Sequence, residues 1–389
     1  MARESISLMK YLKLPNPAVN SDHSWLGGTT STPAAHIRLR ASDIVEWEDF
    51  NLETLCHIYG RILELPADDL PDFARHLPFH LSEIKDEDSL EALLIRWNNA
   101  VVSCALSVAQ RADIADGHGG SRLNAEEIYM ARGGHACLPT ERKNQRGFRP
   151  DWAGIIPGKL HRGTKRQSYI NLLPGDTKLS SKWESTGKCH RSNEFQKPWR
   201  QIFRYCLFAK VRYGYLLTQE ELVVVRISTK SGPTDGKAPA VQRPQRRLHP
   251  ELMQESAIQE VQELHEKHKG MMAVEGDDAE PVRGFLEYKS IPWKIPDGNP
   301  DGELSINLAL WWLHMMASKS RSIETDYMDL REEYQSLNQV TTGSSNHRES
   351  KYKGKKRARN SHITAGSSKG EMEPPRKLQR SFSGPMQVE

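Results

Sequence analysis

Three side chains in two short runs set out the chemistry open to this chain: Asp151 in Arg149-Pro150-Asp151-Trp152, and Asp176 with Lys178 in Gly175-Asp176-Thr177-Lys178. In an extended strand alternate residues share a face, so Asp176 and Lys178 point into one cleft and Thr177 points away. Asp151 opens a separate apolar run, Trp152-Ala153-Gly154-Ile155-Ile156, which reads as a neighbouring strand. Two carboxylates from adjacent strands, with the Thr177 carbonyl beside them, make a hard oxygen site suited to Mg²⁺ or Mn²⁺. Lys178 would stand beside a water activated there, orienting it and stabilising negative charge as it develops. Gln201 and Tyr205 lie four apart in Gln201-Ile202-Phe203-Arg204-Tyr205. They share one face of a helix and would steady the site or touch a ligand backbone. His161, Arg162, Lys165 and Arg166 fall between the two acid-bearing runs and suit phosphate contacts.

Each residue also has an ordinary reading: Asp151 after proline could cap a turn, Asp176 after Pro174-Gly175 could be turn chemistry, and Lys178 could simply pair with it. Taken in order, however, Pro150-Asp151, Asp176-x-Lys178 and Gln201-x-x-x-Tyr205 resemble the PD-(D/E)xK nuclease superfamily, in its RecB-like branch with the Gln-x-x-x-Tyr element. The runs Arg212 to Thr218, Leu222 to Arg226, Leu286 to Trp293 and Asn307 to His314 look like fungal members, so the likeness spans about residues 85 to 317. The resemblance implies a restriction-endonuclease-like fold and metal-dependent hydrolysis of phosphodiester bonds, in DNA rather than RNA. Asp151, Asp176, Lys178, Gln201 and Tyr205 would form the catalytic set. A third metal-holding acid is implied on the helix before the sheet, with Glu91 the candidate and Glu87 the alternative. Either could equally be a helix-start carboxylate favoured by the helix dipole. Two further readings stay open: a nuclease-like module that binds nucleic acid or protein without cutting, and a component of a selfish or mobile element.

The elements that must position these residues follow from periodicity. Over Ser89 to Arg111, Leu90, Leu94, Trp97, Val101, Cys104 and Val108 recur every three or four residues, a helix with a stripe wide enough to cover a sheet. Strand-like runs cover Asp151 to Ile156, Ser168 to Leu179, Tyr213 to Leu217 and Leu222 to Ser228, the last two joined through a turn at Thr218-Gln219-Glu220-Glu221. Pro198 suits the first turn of a helix reaching about Lys210. A strand around Phe285 to Ser290 and a helix from Leu304 to Ala317 follow, with Trp311-Trp312 read as packing. Ser42-Asp43 offers a cap for a helix over Ala41 to Ile62. The class is therefore α/β, a mixed sheet flanked by helices. The division is an extended arm over 1–40, helical preliminaries over 41–84, a nuclease-like domain over 85–320 with an insertion at about 229–280, and a disordered basic tail over 338–389.

The 389 residues suffice for one large or two small domains, and a hydrophobic content of 37% suggests that part of the chain is unpacked. Five scattered cysteines without a C-x-x-C spacing suggest neither a disulfide framework nor a zinc ribbon. The pairs His135/Cys137 and Cys189/His190 match no familiar zinc module. No stretch reads as a signal peptide or as about 18 apolar residues, so a soluble protein with no membrane partner is expected. The net charge of +4 is uneven: Glu141 to Arg212 holds 17 Lys plus Arg against 5 Asp plus Glu, a local +12 that leaves −8 for the rest. A basic rim around an acidic centre suits a nucleic-acid partner. The clusters Lys351 to Arg359 and Arg376 to Arg380 suit nuclear import or a nucleic-acid arm. Oligomeric state is not encoded in any of these patterns.

Overall fold

The computed structural model describes residues 6–21, 37–73, 77–115, 127–136, 149–161, 168–186, 193–229, 282–295 and 302–343. In chain order the elements are α1 (Leu8–Leu12), β1 (Ile37–Arg38), β2 (Ile44–Glu46), α2 (Leu52–Leu63), α3 (Glu87–Leu94), a π turn (Ile95–Asn99) and α4 (Ala100–Ala115). There follow β3 (Tyr129–Arg132), β4 (Trp152–Ile155), β5 (Gly175–Thr177), α5 (Asn193–Ala209), β6 (Tyr213–Leu217), β7 (Glu221–Ser228), β8 (Val282–Arg283), β9 (Phe285–Pro292), α6 (Ile306–Lys319) and α7 (Leu330–Gly343). Seven strands form one sheet in the order β2-β9-β7-β6-β5-β4-β3. β2 runs parallel to β9 and β5 parallel to β6; the other neighbours are antiparallel. The fold is thus α/β, a mixed sheet flanked by helices.

Side-chain alternation divides the core between the two faces. Tyr213, Tyr215, Leu217, Leu222 and Val224 lie with Leu55 of α2, Val101 and Leu106 of α4 and Trp311 and Trp312 of α6. Leu216, Val223, Val225 and Ile227 lie with Trp199, Ile202, Phe203 and Cys206 of α5. A central strand covered on both faces must be apolar at nearly every position, which explains the unbroken run Leu222-Val223-Val224-Val225. The parallel pair β5 and β6 needs a crossover, and α5 supplies it. That crossover lays α5 over the strand that carries Asp176.

Within the helical run Glu87–Arg111 an 18-residue window reaches a mean hydropathy of 1.3, so the run is long and apolar enough by composition to cross a membrane, although its apolar residues are interrupted at Arg96, Asn98 and Asn99. Its Leu90, Leu93, Leu94, Trp97, Val101, Val102, Ala105 and Leu106 are instead buried in the core. The π turn presents Trp97 and Asn98 to a buried polar node. Trp97 Nε1 and Asn98 Nδ2 both donate to Asn16 Oδ1, at 3.0 and 3.1 Å, and Asn98 Nδ2 donates to Asn307 Oδ1 at 2.7 Å.

Several boundaries differ from the sequence expectation. Residues 6–21, expected within an extended arm, pack against the core: Leu8, Tyr11 and Leu12 are buried, and Asn16 Nδ2 donates to the Trp293 carbonyl at 3.0 Å. Ile44 to Glu46, expected to begin a helix, form edge strand β2, because β-branched Ile44 and Val45 meet the open edge of β9. The helix starts later, where Asn51 Oδ1 accepts the Thr54 amide at 2.9 Å. The expected strand over Ser168 to Leu179 shortens to β5, since buried Asn171 turns the chain by accepting the Leu173 amide at 3.1 Å. α5 begins at Asn193, which puts Pro198 in its second turn. α7 crosses the boundary expected at 338. The insertion beyond Thr229, including the helical spacing at 250–268, and the basic tail beyond Gly343 lie outside the described residues.

Candidate active site

β4 and β5 meet at a single register pair, Trp152 opposite Gly175. Beyond it a side chain replaces the backbone ladder, because the Thr177 amide donates to Asp151 Oδ2 at 2.8 Å. This bond fixes one carboxylate against the strand that carries the other. Trp152 Nε1 donates to Thr177 Oγ1 at 2.8 Å, which turns the threonine side chain away from Asp176 and Lys178 as the pleat requires. A side chain at Gly175 would force the Tyr215 ring to move, for a Cβ would lie 2.3 Å from it.

Asp176 is 2% exposed and Lys178 4%, and the two form an ion pair. Lys178 Nζ also donates to the Thr177 carbonyl at 2.9 Å, so that expected metal ligand already holds one hydrogen bond and keeps its second lone pair. From α5, Gln201 Nε2 donates to the Tyr205 hydroxyl at 2.8 Å and reaches Asp176 Oδ1 at 3.4 Å. The i, i+4 spacing read from sequence therefore aims both side chains at the strand. Glu91 of α3, buried, pairs with Arg132 of β3. Glu87 pairs with Lys182 at 3.5 Å instead.

Burial, and then the charge of Asp176, push the Asp151 carboxyl up to about 8. Burial also raises Glu91, with Arg132 opposing the shift and Asp176 adding to it. For Lys178, burial alone would favour the neutral amine, but the Asp176 carboxylate outweighs it and the ammonium is raised further into its charged range. Burial and Asp176 raise Tyr205, which stays a phenol and can only donate or accept a hydrogen bond. Lys178 is thus a fixed cation, and the acids form a cluster short of positive charge.

Hard oxygen donors and this charge deficit fit a divalent cation of the Mg²⁺ or Mn²⁺ type. Asp176 Oδ2, Glu91 Oε2 and Gln201 Oε1 are buried acceptors without an aligned hydrogen bond; the first two meet their cations as ion pairs only. Among the described residues no three His, Cys, Asp or Glu side chains are gathered as a ready metal cage, so Glu91 stands near Asp151 and Asp176 without completing one. A small cavity of about 30 Å³ lies elsewhere, lined by residues including Tyr59, Arg212, Trp312 and Tyr334, and has room for about one or two waters.

Of the expected phosphate contacts, His161 is described and half-buried; its Nε2 has no partner among the described residues and its burial depresses protonation. Arg162, Lys165 and Arg166 lie outside the described residues, as do Cys137, Cys189 and His190. Sequence reasoning missed Arg132, Trp152 as the partner of Thr177, and Tyr215, whose ring covers Gly175. Only Arg132 carried any signal, as a cation ending the run Tyr129-Met130-Ala131. Comparisons with family models, curated proteins and solved structures return no match for this chain.

Proposed function

We propose that this chain is a metal-dependent nuclease of the PD-(D/E)xK kind, built on a restriction-endonuclease-like fold and hydrolysing phosphodiester bonds of DNA. The observation that carries the reading is the junction of β4 and β5, where Asp151 holds the Thr177 amide while Asp176 and Lys178 pair on the strand beside it. Held by Asp151 and Asp176, with Glu91 as third acid, Mg²⁺ or Mn²⁺ would supply Lewis-acid charge neutralisation and a more acidic water.

Hydrolysis adds a water oxygen to phosphorus and breaks one phosphorus–oxygen ester bond, so negative charge builds on the phosphoryl oxygens. Lys178, charged and fixed by Asp176 and the Thr177 carbonyl, stabilises that charge and orients the water. Gln201 reaches Asp176 from the α5 side, and Tyr205 holds Gln201 in place by accepting its amide. The two ion pairs, Lys178 with Asp176 and Arg132 with Glu91, favour one other reading, a module that binds nucleic acid without cutting.

Incubation of the full chain with linear, circular and single-stranded DNA, and with RNA, in Mg²⁺, Mn²⁺ or EDTA separates the two. Cleavage is expected with metal, abolished by EDTA and by Asp176→Ala. Binding without cleavage under every condition would establish the second reading, and an Asp176→Ala protein that cuts normally would end the first.

A further inference from the structure

Arg132 ends β3, opposite Trp152 of β4. The next residue, Gly133, donates its amide to the Asp151 carbonyl at 2.8 Å, and a Cβ on it would fall 1.6 Å from the Pro150 carbonyl oxygen. The backbone carrying Arg132 is therefore clamped to the backbone carrying Asp151. From this position the guanidinium meets Glu91 through Nη2, while the Arg132 side chain remains 41% exposed and that of Glu91 only 9%. A guanidinium has five donors in a planar fork, and a buried carboxylate on one side leaves the others for an anion arriving from solvent.

We propose that Arg132 receives a backbone phosphate of the nucleic acid beside the acid cluster, with Glu91 as the counterion that holds it ready. The inference rests on the nuclease reading above and deepens it. Glu91 and the substrate phosphate then compete for one guanidinium. A phosphate that takes Arg132 frees Glu91, whose charge is already felt by Asp151 and which itself feels Asp176. Substrate binding and delivery of the third acid become one event, and α3 is the element that links them. A purely structural pair makes the opposite demand: each partner would need the other, and losing either would damage the protein alike.

The test is binding of a fluorescein-labelled duplex DNA by the full chain in EDTA, over a salt series, for wild type, Arg132→Ala, Arg132→Lys and Glu91→Gln, beside thermal unfolding of each. Arg132→Ala should weaken binding about tenfold and lower the slope of log affinity against log salt by about one. Arg132→Lys should keep the slope, since a point charge still displaces a counterion, and it serves where the alanine variant folds poorly. Glu91→Gln should tighten metal-free binding by a few-fold at unchanged slope, because it removes the competitor, while losing metal-dependent cleavage. An Arg132→Ala slope equal to wild type, or Glu91→Gln weakening binding as Arg132→Ala does, would overturn the inference and leave the nuclease reading standing. A wild type that binds no DNA and no RNA would overturn both.

Discussion

Replacing Asp151 by asparagine keeps the shape of the side chain and an oxygen able to accept the Thr177 amide, but deletes the charge. In the metal-free protein that charge is a burden, because burial and Asp176 raise the carboxyl from its ordinary 3.8 to about 8. Between those values the native carboxyl is protonated while the unfolded one is ionised, so the native state binds more protons and stability falls as pH rises. The loss is absent below about pH 4 and complete above about pH 8. At about 1.4 kcal/mol per pH unit, the ceiling near pH 7 is ~4 kcal/mol. Water reaches part of Asp151, and screening reduces the expected cost to about 2 kcal/mol. Asp151→Asn should therefore unfold at a higher urea midpoint than wild type at about pH 8 in EDTA, converge with it near pH 4, and be inactive. Tryptophan fluorescence at several pH values reads this directly, with an unchanged denaturant slope confirming that only stability moved. Mg²⁺ should raise the wild-type midpoint and leave the variant unmoved. A variant less stable than wild type throughout this range would refute the reasoning, since it would mean that the carboxylate is already compensated without metal.

Two further outcomes follow from the same geometry. Gly175→Ala would drive a methyl into the Tyr215 ring beside Asp176, and a loss of about 1–3 kcal/mol in chemical unfolding is expected together with reduced cleavage; unchanged stability would show that the ring swings aside freely. Asn98→Ala removes a buried donor shared by Asn16 and Asn307, and should cost about 2 kcal/mol while leaving the metal dependence of cleavage as in wild type; an unaffected midpoint would deny that this node joins the N-terminal segment to the core.

The shared face of Asp176 and Lys178 was legible in the sequence because strand alternation is local, and so was the pairing of Gln201 with Tyr205 one helical turn apart. The same locality made β6, β7 and α6 readable, since buried strands and helices announce themselves by unbroken or periodic apolar runs. What tertiary structure alone decided was everything set by a partner distant in the chain. Ile44 to Glu46 became a strand because β9 offered an edge, 242 positions away at Ile44 and Leu286. Leu8 to Leu12 became core because the helices left an apolar surface to cover, and the single paired position between β4 and β5 let Asp151 take over a ladder bond. Arg132 meets Glu91 across 41 residues of sequence, and no spacing rule links them. Periodicity records what a residue's near neighbours require, whereas edges, ion pairs and the elevated Asp151 carboxyl arise only when packing excludes water and brings remote charges together.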